Sequence, residues 1–398
     1  MGLLQNKLIV IGVSGGIAAY KSVEILRQLQ KEGASVRVIM TRNAAAFVGP
    51  LTFEALSGYS VYMDVVEKDV SGEIRHISWA DKADAVIIAP ATANMIGKIA
   101  NGIADDALST FIMAVRTPVL ICPAMNSNMY ESRAVQRNLD CLEADGFHVL
   151  EPDSGELACG VTGPGRLPDP PFIVDRLKKV LSPSDLKGKR VLVSAGPTIE
   201  PIDPVRYISN HSSGKMGYEI ARAAEYRGAE VKMVTGKTSL PVPFNVSAVN
   251  VLSAAEMYEA MIRNMDDADI IIKVAAVADY RVKDVAEHKI KKTSDDMIIK
   301  LEKNPDILKA IGEKKKNQFL VGFAAETRDL RENALAKLKS KNLDMIVGNV
   351  VSEEGSGFGS DTNRVTLFYA DGNIDHMPVM GKDAVANALI DRILARII

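Results

Sequence analysis

The chain is poor in the residues that build disulfide frameworks and metal knuckles. Its 398 residues include three cysteines, Cys122, Cys141 and Cys159, widely spaced and without a CxxC pair. That spacing excludes a disulfide scaffold and offers no zinc signature. An excess of charge of either sign is also lacking: 48 Lys+Arg stand against 50 Asp+Glu. Divided after Leu181, the first part has 17 against 20 and the second 31 against 30. Neither half is a polyelectrolyte, which argues against a broad nucleic-acid surface. Long apolar runs are missing too. The opening run Ile9-Val10-Ile11-Gly12-Val13 is too short for a signal core or a membrane span, and no secretory pattern precedes it. Position 6 is Asn, where N-myristoylation would call for Ser or Thr. A soluble cytoplasmic protein with no membrane partner is expected.

What is present is ordinary globular material, 47% hydrophobic and 25% charged, enough for sizeable cores in about two to three domains. The chain opens twice in the same way. Lys7-Leu8-Ile9-Val10-Ile11 runs into Gly12-Val13-Ser14-Gly15-Gly16, and Arg190-Val191-Leu192-Val193-Ser194-Ala195 runs into Gly196-Pro197-Thr198. Each reads as a first parallel strand feeding a ligand loop. Between them, residues 182–188 are rich in Ser, Pro and Gly and read as a linker. The expected architecture is α/β, with two domains at 1–181 and 189–398, each a largely parallel sheet flanked by helices.

In the first half, strands are expected at 36–40, 83–89 and 118–122, with a helix at 17–32. They close on Thr41-Arg42-Asn43, Pro90-Ala91-Thr92-Ala93-Asn94 and Pro123-Ala124-Met125-Asn126. Ligands of a parallel sheet sit at such carboxyl ends. The first loop is not GxGxxG, and Thr41 stands where an acidic residue would hold a ribose diol. A dinucleotide is therefore disfavoured against a mononucleotide phosphate held by Ser14 and backbone amides. On its own this loop reads equally well as a tight structural turn. Trp79, Met95, Met113 and Met125 read as packing, as do Cys122 and Cys141.

The order of these strings, with His76 between the second and third strands and Cys159 in a glycine-rich stretch, resembles the flavin-dependent cysteine decarboxylase family. The resemblance covers residues 1–181 and implies a flavodoxin-like fold holding FMN. It implies Gly12, Ser14, Gly15, Thr41, Thr92, Ala93, Asn94 and Ala124 at the FMN, and His76, Asn126 and Cys159 in catalysis. Many relatives carry Ser where Thr92 stands, a change that keeps the hydroxyl. The chemistry suits these residue types. No Lys is placed to suggest a pyridoxal electron sink, so the sink must come from elsewhere, and the resemblance implies that FMN makes the carboxylate labile. Asn126 can bind that carboxylate without burying a second charge. His76 can handle a proton. The four glycines at 155, 160, 163 and 165 suit a lid that carries the Cys159 thiol.

In the second half, strands are expected at 191–195, 231–235, 270–276 and 320–323, with a helix ending at Arg227. The stretch 196–208 holds three prolines and reads as a shaped loop. Ser212-Ser213-Gly214-Lys215-Met216 lacks the spacing and the following hydroxyl of a P-loop. SNHSSGKMG, AAVADY, KIKK, NPDIL and VGFAAET occur in that order, and together they resemble the phosphopantothenate–cysteine ligase family with its Rossmann-like fold. The whole chain thus resembles the bifunctional bacterial coenzyme A biosynthesis family.

This resemblance implies CTP and Mg²⁺, with 4′-phosphopantothenate and cysteine as the other substrates. It places Lys273, Val274, Ala275, Asp279, Lys289, Pro305, Asp306, Ile307, Leu308, Phe323, Lys337 and Lys341 at the CTP, with Asp279 also a metal candidate. Asn210 and Lys289 are its catalytic residues. From periodicity alone, Lys289 to Lys292 would be a solvated tip, and Lys337 with Lys341 a solvent-facing helical pair. Asn210 and Asp279 would be turn or cap residues. His211 and His288 read as structural. The resemblance also implies a homo-oligomer in which three-fold decarboxylase and two-fold ligase contacts permit a closed dodecamer. Two other readings stay open at this level: a nicotinamide-dependent dehydrogenase and a non-catalytic flavoprotein scaffold.

Overall fold

The structure is a computed structural model that describes residues 2–65, 75–157, 160, 162–291, 297–326, 329–350 and 359–397. The chain forms two compact units, Gly2–Ser182 and Pro183–Ile398.

The first unit is built on β1 (Leu8–Val13), β2 (Ser35–Met40), β3 (Ala85–Ala91), β4 (Val119–Pro123) and β5 (His148–Val149). All pair in parallel in the order β2-β1-β3-β4-β5, the flavodoxin-like winding. Strand side chains alternate between faces, and both faces here are apolar. Ile9, Ile11, Ala85, Ile87 and Leu120 pack with Ile25, Leu26, Leu29, Ile173 and Leu177 of helices Lys21–Lys31 and Pro170–Val180. Val10, Val86, Ile88 and Ile121 pack on the other side with Ile96, Phe111 and Leu139, from helices Ala93–Ala100, Ala107–Ala114 and Arg133–Ala144. The expected helix at 17–32 is a 3-10 turn, Ile17–Tyr20, followed by Lys21–Lys31. The glycine-rich stretch folds at its flanks as an antiparallel ribbon of β6 (Asp153–Glu156) and β7 (Thr162–Arg166). Cys159, between them, lies outside the described residues.

The second unit opens with β8 (Arg190–Ala195). The proline-rich stretch after it is a short antiparallel ribbon, β9 (Ile199–Pro201) with β10 (Tyr207–Ser209), rather than an open loop. Further strands are β11 (Glu230–Thr235), β12 (Val246–Asn250), β13 (Ile270–Lys273), β14 (Tyr280–Val282), β15 (Leu301–Lys303), β16 (Phe319–Glu326) and β17 (Met345–Val350). Then come β18 (Thr362–Asn363), β19 (Thr366–Tyr369) and β20 (Ile374–His376).

The main sheet of this unit runs β12-β11-β8-β13-β16-β17-β19-β20, parallel as far as β17 and antiparallel beyond it. Its parallel part has the Rossmann order 3-2-1-4-5-6, so the strand order reverses between β8 and β13. Val191, Val193, Ile270 and Ile272 face the helices Lys215–Tyr226 and Lys382–Ile397. Leu192, Ile271, Leu320 and Ile346 face Ala254–Asn264 and Ile307–Lys314.

Part of the stretch expected as a linker packs on the second unit. Leu186 is buried in the second unit's core, and its amide donates to the Arg227 carbonyl at 2.9 Å. The Arg227 guanidinium reaches both oxygens of Asp185, at 2.8 and 2.5 Å. Its other partners are Asp391 and the Asn387 carbonyl. An apolar Leu and a carboxylate facing a buried Arg are reason enough for these residues to pack.

Candidate functional site

The carboxyl ends of β1, β2, β3 and β4 open on a cavity of about 1350 Å³ in the first unit. Ser14, Gly15, Thr41, Thr92, Ala93, Asn94, Ala124 and Asn126 all line it. Thr92 caps the helix Ala93–Ala100, so that helix's first turn faces the cavity with a positive dipole end. Thr41 and Asn126 cap the short helices after β2 and β4. Asn126 Oδ1 accepts the Asn128 amide at 2.9 Å.

Ser14 is 1% exposed, and its hydroxyl is already engaged. It donates to the Pro90 carbonyl at 2.7 Å and accepts the Thr92 amide at 3.0 Å. It therefore sews the first loop to the third and shapes the cradle from beneath. Gly15 and Gly165 let backbone come close: a Cβ would lie 2.3 Å from Asn43 Cβ at Gly15, and 2.2 Å from the Met125 carbonyl at Gly165, where φ is +126°. A cradle of backbone, hydroxyls and one helix start, beside apolar Met63, Met95 and Leu167, fits a planar ligand with a phosphate.

Among the described residues, two expected ones do not line this cavity. Gly12 lies within β1, where a Cβ would come 2.5 Å from Leu108 Cδ1; close packing explains its size. His76 is half-buried on the helix Arg75–Lys82, with Nδ1 3.4 Å from the hydroxyl of buried Tyr62. Several cavity residues escaped the sequence reading. Lys21 Nζ, almost fully buried, donates to the Leu167 carbonyl and to Asp169, both at 2.9 Å. That ammonium holds the Asp169 carboxyl below the usual carboxylate range. Lys98 bridges Asp105 and Asp106 at 2.6 and 2.7 Å, and Arg166 also lines the wall. Their partners lie far off in sequence or in unremarkable context, so no local signal announced them.

In the second unit the loops after β8 and β13 meet at the point where strand order reverses. Ala276 donates to the Gly196 carbonyl at 3.0 Å, and Thr198 to the Ala276 carbonyl at 3.2 Å. The buried Ser194 hydroxyl accepts the amides of Val274 and Ala275, both at 3.1 Å. Asn304 joins the next loop, donating its backbone amide to the Asp279 carbonyl and its side-chain amide to Ala278, each at 2.9 Å. Asp306 caps the helix Ile307–Lys314 and pairs with Lys341 at 2.9 Å. Lys337 pairs with Glu326 at 2.6 Å, a partner the sequence reading missed. Pro305 and Phe323 are half-buried, while Ile307 and Leu308 are buried in the core.

Lys273, Asp279, Asp306, Lys337 and Lys341 thus share one electrostatic neighbourhood. Burial pushes the Lys273 ammonium down to about 8, helped by Lys341 and Lys337 and opposed by Asp306 and Asp279. Its Nζ donates to the Ala275 carbonyl at 2.8 Å. Burial raises the Asp306 carboxyl, but the Lys309 amide and the Lys341 ammonium bring it below its usual range.

Asn210 reaches the same loops, its side-chain amide donating to the Ala276 carbonyl at 3.0 Å. With His211, Lys237 and Thr238 it lines a second cavity, of about 580 Å³. Lys215 instead turns to Asp361 and the Gly359 carbonyl. Lys289 is exposed; its neighbour Ile290 bonds to Asp203 and Arg206. Lys292 lies outside the described residues. β11 ends at Thr235 and is followed by Gly236-Lys237, with no carboxylate for a ribose diol. Among the described residues, no group of three or more His, Cys, Asp or Glu is placed to hold a metal, and no helix is long and apolar enough to cross a membrane.

The folds define a flavodoxin-like domain followed by a Rossmann-like domain, and comparison with known proteins agrees. Residues 2–182 match the family model "Flavoprotein", and 186–397 match "DNA/pantothenate metabolism flavoprotein C-terminal domain". The chain is 49% identical over 397 residues to the coenzyme A biosynthesis bifunctional protein CoaBC of Bacillus subtilis (strain 168), covering 99% of this chain and 98% of that one. It is 47% identical over 398 residues to the protein of the same name from Escherichia coli (strain K12), with the same coverage. A solved C-terminal domain of a CoaBC protein is 44% identical and covers 54% of this chain and 97% of its own, at a TM-score of 0.47. The chain belongs to the family of coenzyme A biosynthesis bifunctional proteins, enzymes with decarboxylase and ligase activities in one polypeptide.

Proposed function

We propose that the second unit joins cysteine to 4′-phosphopantothenate at the expense of CTP, and that the first unit decarboxylates the product with FMN. One observation carries the ligase half. Residues spread from Lys273 to Lys341 form one charged cluster at the point where the strand order of a Rossmann-type sheet reverses.

An amide cannot form directly from a carboxylate, because the oxygen is a poor leaving group. The substrate carboxylate attacks the α-phosphate of CTP and pyrophosphate departs; the cysteine amine then displaces CMP from the acyl-cytidylate. Lys289 neutralises charge that builds on the phosphoryl oxygens, and Asn210, held on Ala276, orients the acyl group. Pro305, Asp306, Ile307, Leu308, Phe323, Lys337 and Lys341 frame the nucleotide, together with the backbone of Lys273, Val274 and Ala275. Mg²⁺ needs one or two carboxylates besides phosphate oxygens, which suits Asp279 without a preformed protein cage.

In the first unit, the cradle around Ser14, Gly15, Thr92 and Ala93 would hold FMN, which supplies the hydride acceptor that the α-carboxylate needs before CO2 can leave. Asn126 holds that carboxylate by hydrogen bonding, His76 moves a proton, and the Cys159 thiol protonates the product. Localisation in the cytoplasm and an oligomer combining three-fold and two-fold contacts, up to a dodecamer, complete this reading. The ligase half is tested by pyrophosphate release from CTP with 4′-phosphopantothenate, with and without Mg²⁺. Release that ignores the acid substrate, or that proceeds equally well in EDTA, would refute it.

A further inference from the structure

The Asp203 carboxylate has no exposed side-chain surface, yet it accepts five N–H donors. Oδ1 takes the amides of Val205 and Arg206, both at 2.9 Å. Oδ2 takes Arg206 Nε at 3.0 Å, Arg206 Nη2 at 2.5 Å and, from 87 residues away, the Ile290 amide at 3.2 Å. Arg206 Nη2 also donates to the Ile290 carbonyl at 3.0 Å. Both backbone groups of Ile290 are therefore held by one ion pair, whose carboxylate is buried and whose guanidinium is half-buried. A second tie lies just upstream, where the Ala286 amide donates to the Ile202 carbonyl at 3.1 Å. Glu287, His288 and Lys289 are the only residues between the two ties.

We infer that Asp203 is a positioning residue for the ligase reaction: through Arg206 it clamps Ile290, and the clamp sets where the Lys289 ammonium stands. The clamp is read from geometry alone, whereas its catalytic meaning rests on the role proposed above for Lys289. A carboxylate has about four lone-pair sites, so one that already accepts five donors has no capacity left for acid–base chemistry or for a metal. The local bonds to Val205 and Arg206 shape its own turn. The bonds to Ile290 do something else, since they fix a residue on a separate segment. An exposed lysine on an untied loop would sample many positions, and phosphoryl transfer rewards a cation already in place. Charge-assisted bonds to a buried carboxylate are the strong kind, suited to that task.

The test uses the full chain with Asp203→Asn, Lys289→Gln and the double variant, plus Arg206→Lys, which keeps the charge but loses the fork to Ile290. Trypsin cleavage of the 289–290 bond, followed by mass spectrometry, reads the clamp without any reference to activity. Asp203→Asn and Arg206→Lys should each speed that cleavage about tenfold, with other sites unchanged, in proportion to about 1.4 kcal/mol of lost restraint. An unchanged rate in both overturns the clamp. Pyrophosphate release reads the link to Lys289. Asp203→Asn should lower kcat at least about tenfold with KM for CTP nearly unchanged, and should lower it no further in the Lys289→Gln background. An equal loss in both backgrounds overturns the link. A wild-type enzyme that releases no pyrophosphate sinks the ligase reading, while the proteolysis result still decides the clamp.

Discussion

Lys273 offers the most quantitative handle on the charged cluster of the second unit. Its ammonium is pushed from 10.5 down to about 8 by burial and by the Lys341 charge. At about 1.4 kcal/mol per pH unit, keeping it charged at neutral pH costs up to about 3 kcal/mol. The bond from Nζ to the Ala275 carbonyl returns about 1 kcal/mol of this. Lys273→Met should therefore stabilise the second unit at pH 7 by about 2 kcal/mol. The sign of the pH dependence follows from the depressed folded value. Below pH 8 both folded and unfolded states hold the proton, and the fold bears the full cost. Between about 8 and 10.5 the unfolded state binds more protons than the folded one, so the wild type gains stability as pH rises and the variant's advantage fades.

Urea unfolding of the full chain followed by far-ultraviolet circular dichroism, from pH 7 to 10, measures this. Hydrogen exchange in Ile270–Lys273 would assign the transition to the second unit. A polyanion beside Lys273 should also restore its proton. CTP binding near pH 8 should then draw a fraction of a proton from buffer in the wild type and less in the variant, by titration calorimetry in two buffers. An advantage for Lys273→Met that stays flat across pH 7 to 10, or a variant less stable at pH 7, would refute the reasoning.

Ser14→Ala should leave the Pro90 carbonyl and the Thr92 amide without their buried partner, at about 1 to 3 kcal/mol; flavin retention through gel filtration should fall while ligation persists. Arg227→Met removes the shared partner of Asp185 and Asp391, both reachable by water, and should destabilise the second unit by about 1 to 2 kcal/mol, lowering its thermal midpoint but not that of the first unit. Cys159→Ser should stop product release from the decarboxylase without touching ligation. Lys289→Gln should cut acyl-cytidylate formation to a small residual rate yet still decarboxylate supplied phosphopantothenoylcysteine. Loss of both reactions from either change, in an intact assembly, would contradict independent sites.

The parallel strands were legible because they are buried on both faces, so β1, β3, β4, β8 and β13 read as short apolar runs closing on small residues. Their ends were less so: β3 runs on through Pro90 to Ala91, and β16 extends to Glu326. The ribbon of β9 and β10 hid behind three prolines, because three-residue strands carry no periodicity. Lys337 and Lys341 look like solvent-facing helix charges, and only the fold supplies Glu326 and Asp306 as partners. Asp203 and Leu186 were invisible for the same reason: what gives each its role lies on a distant segment. Ser14 was read as a phosphate ligand, and the structure adds bonds to the Pro90 carbonyl and the Thr92 amide that no local pattern announced. His76 does not line the cavity described within this chain.

The central claim is that one polypeptide runs a nucleotide-driven ligation and then a flavin-dependent decarboxylation. Carbon dioxide released from carboxyl-labelled cysteine by the purified full chain tests it most directly. Release should require 4′-phosphopantothenate, CTP and Mg²⁺ together, with one CO2 for each CMP formed. Labelled CO2 evolved without CTP, or CMP formed with no CO2 from a flavin-replete enzyme, would contradict it.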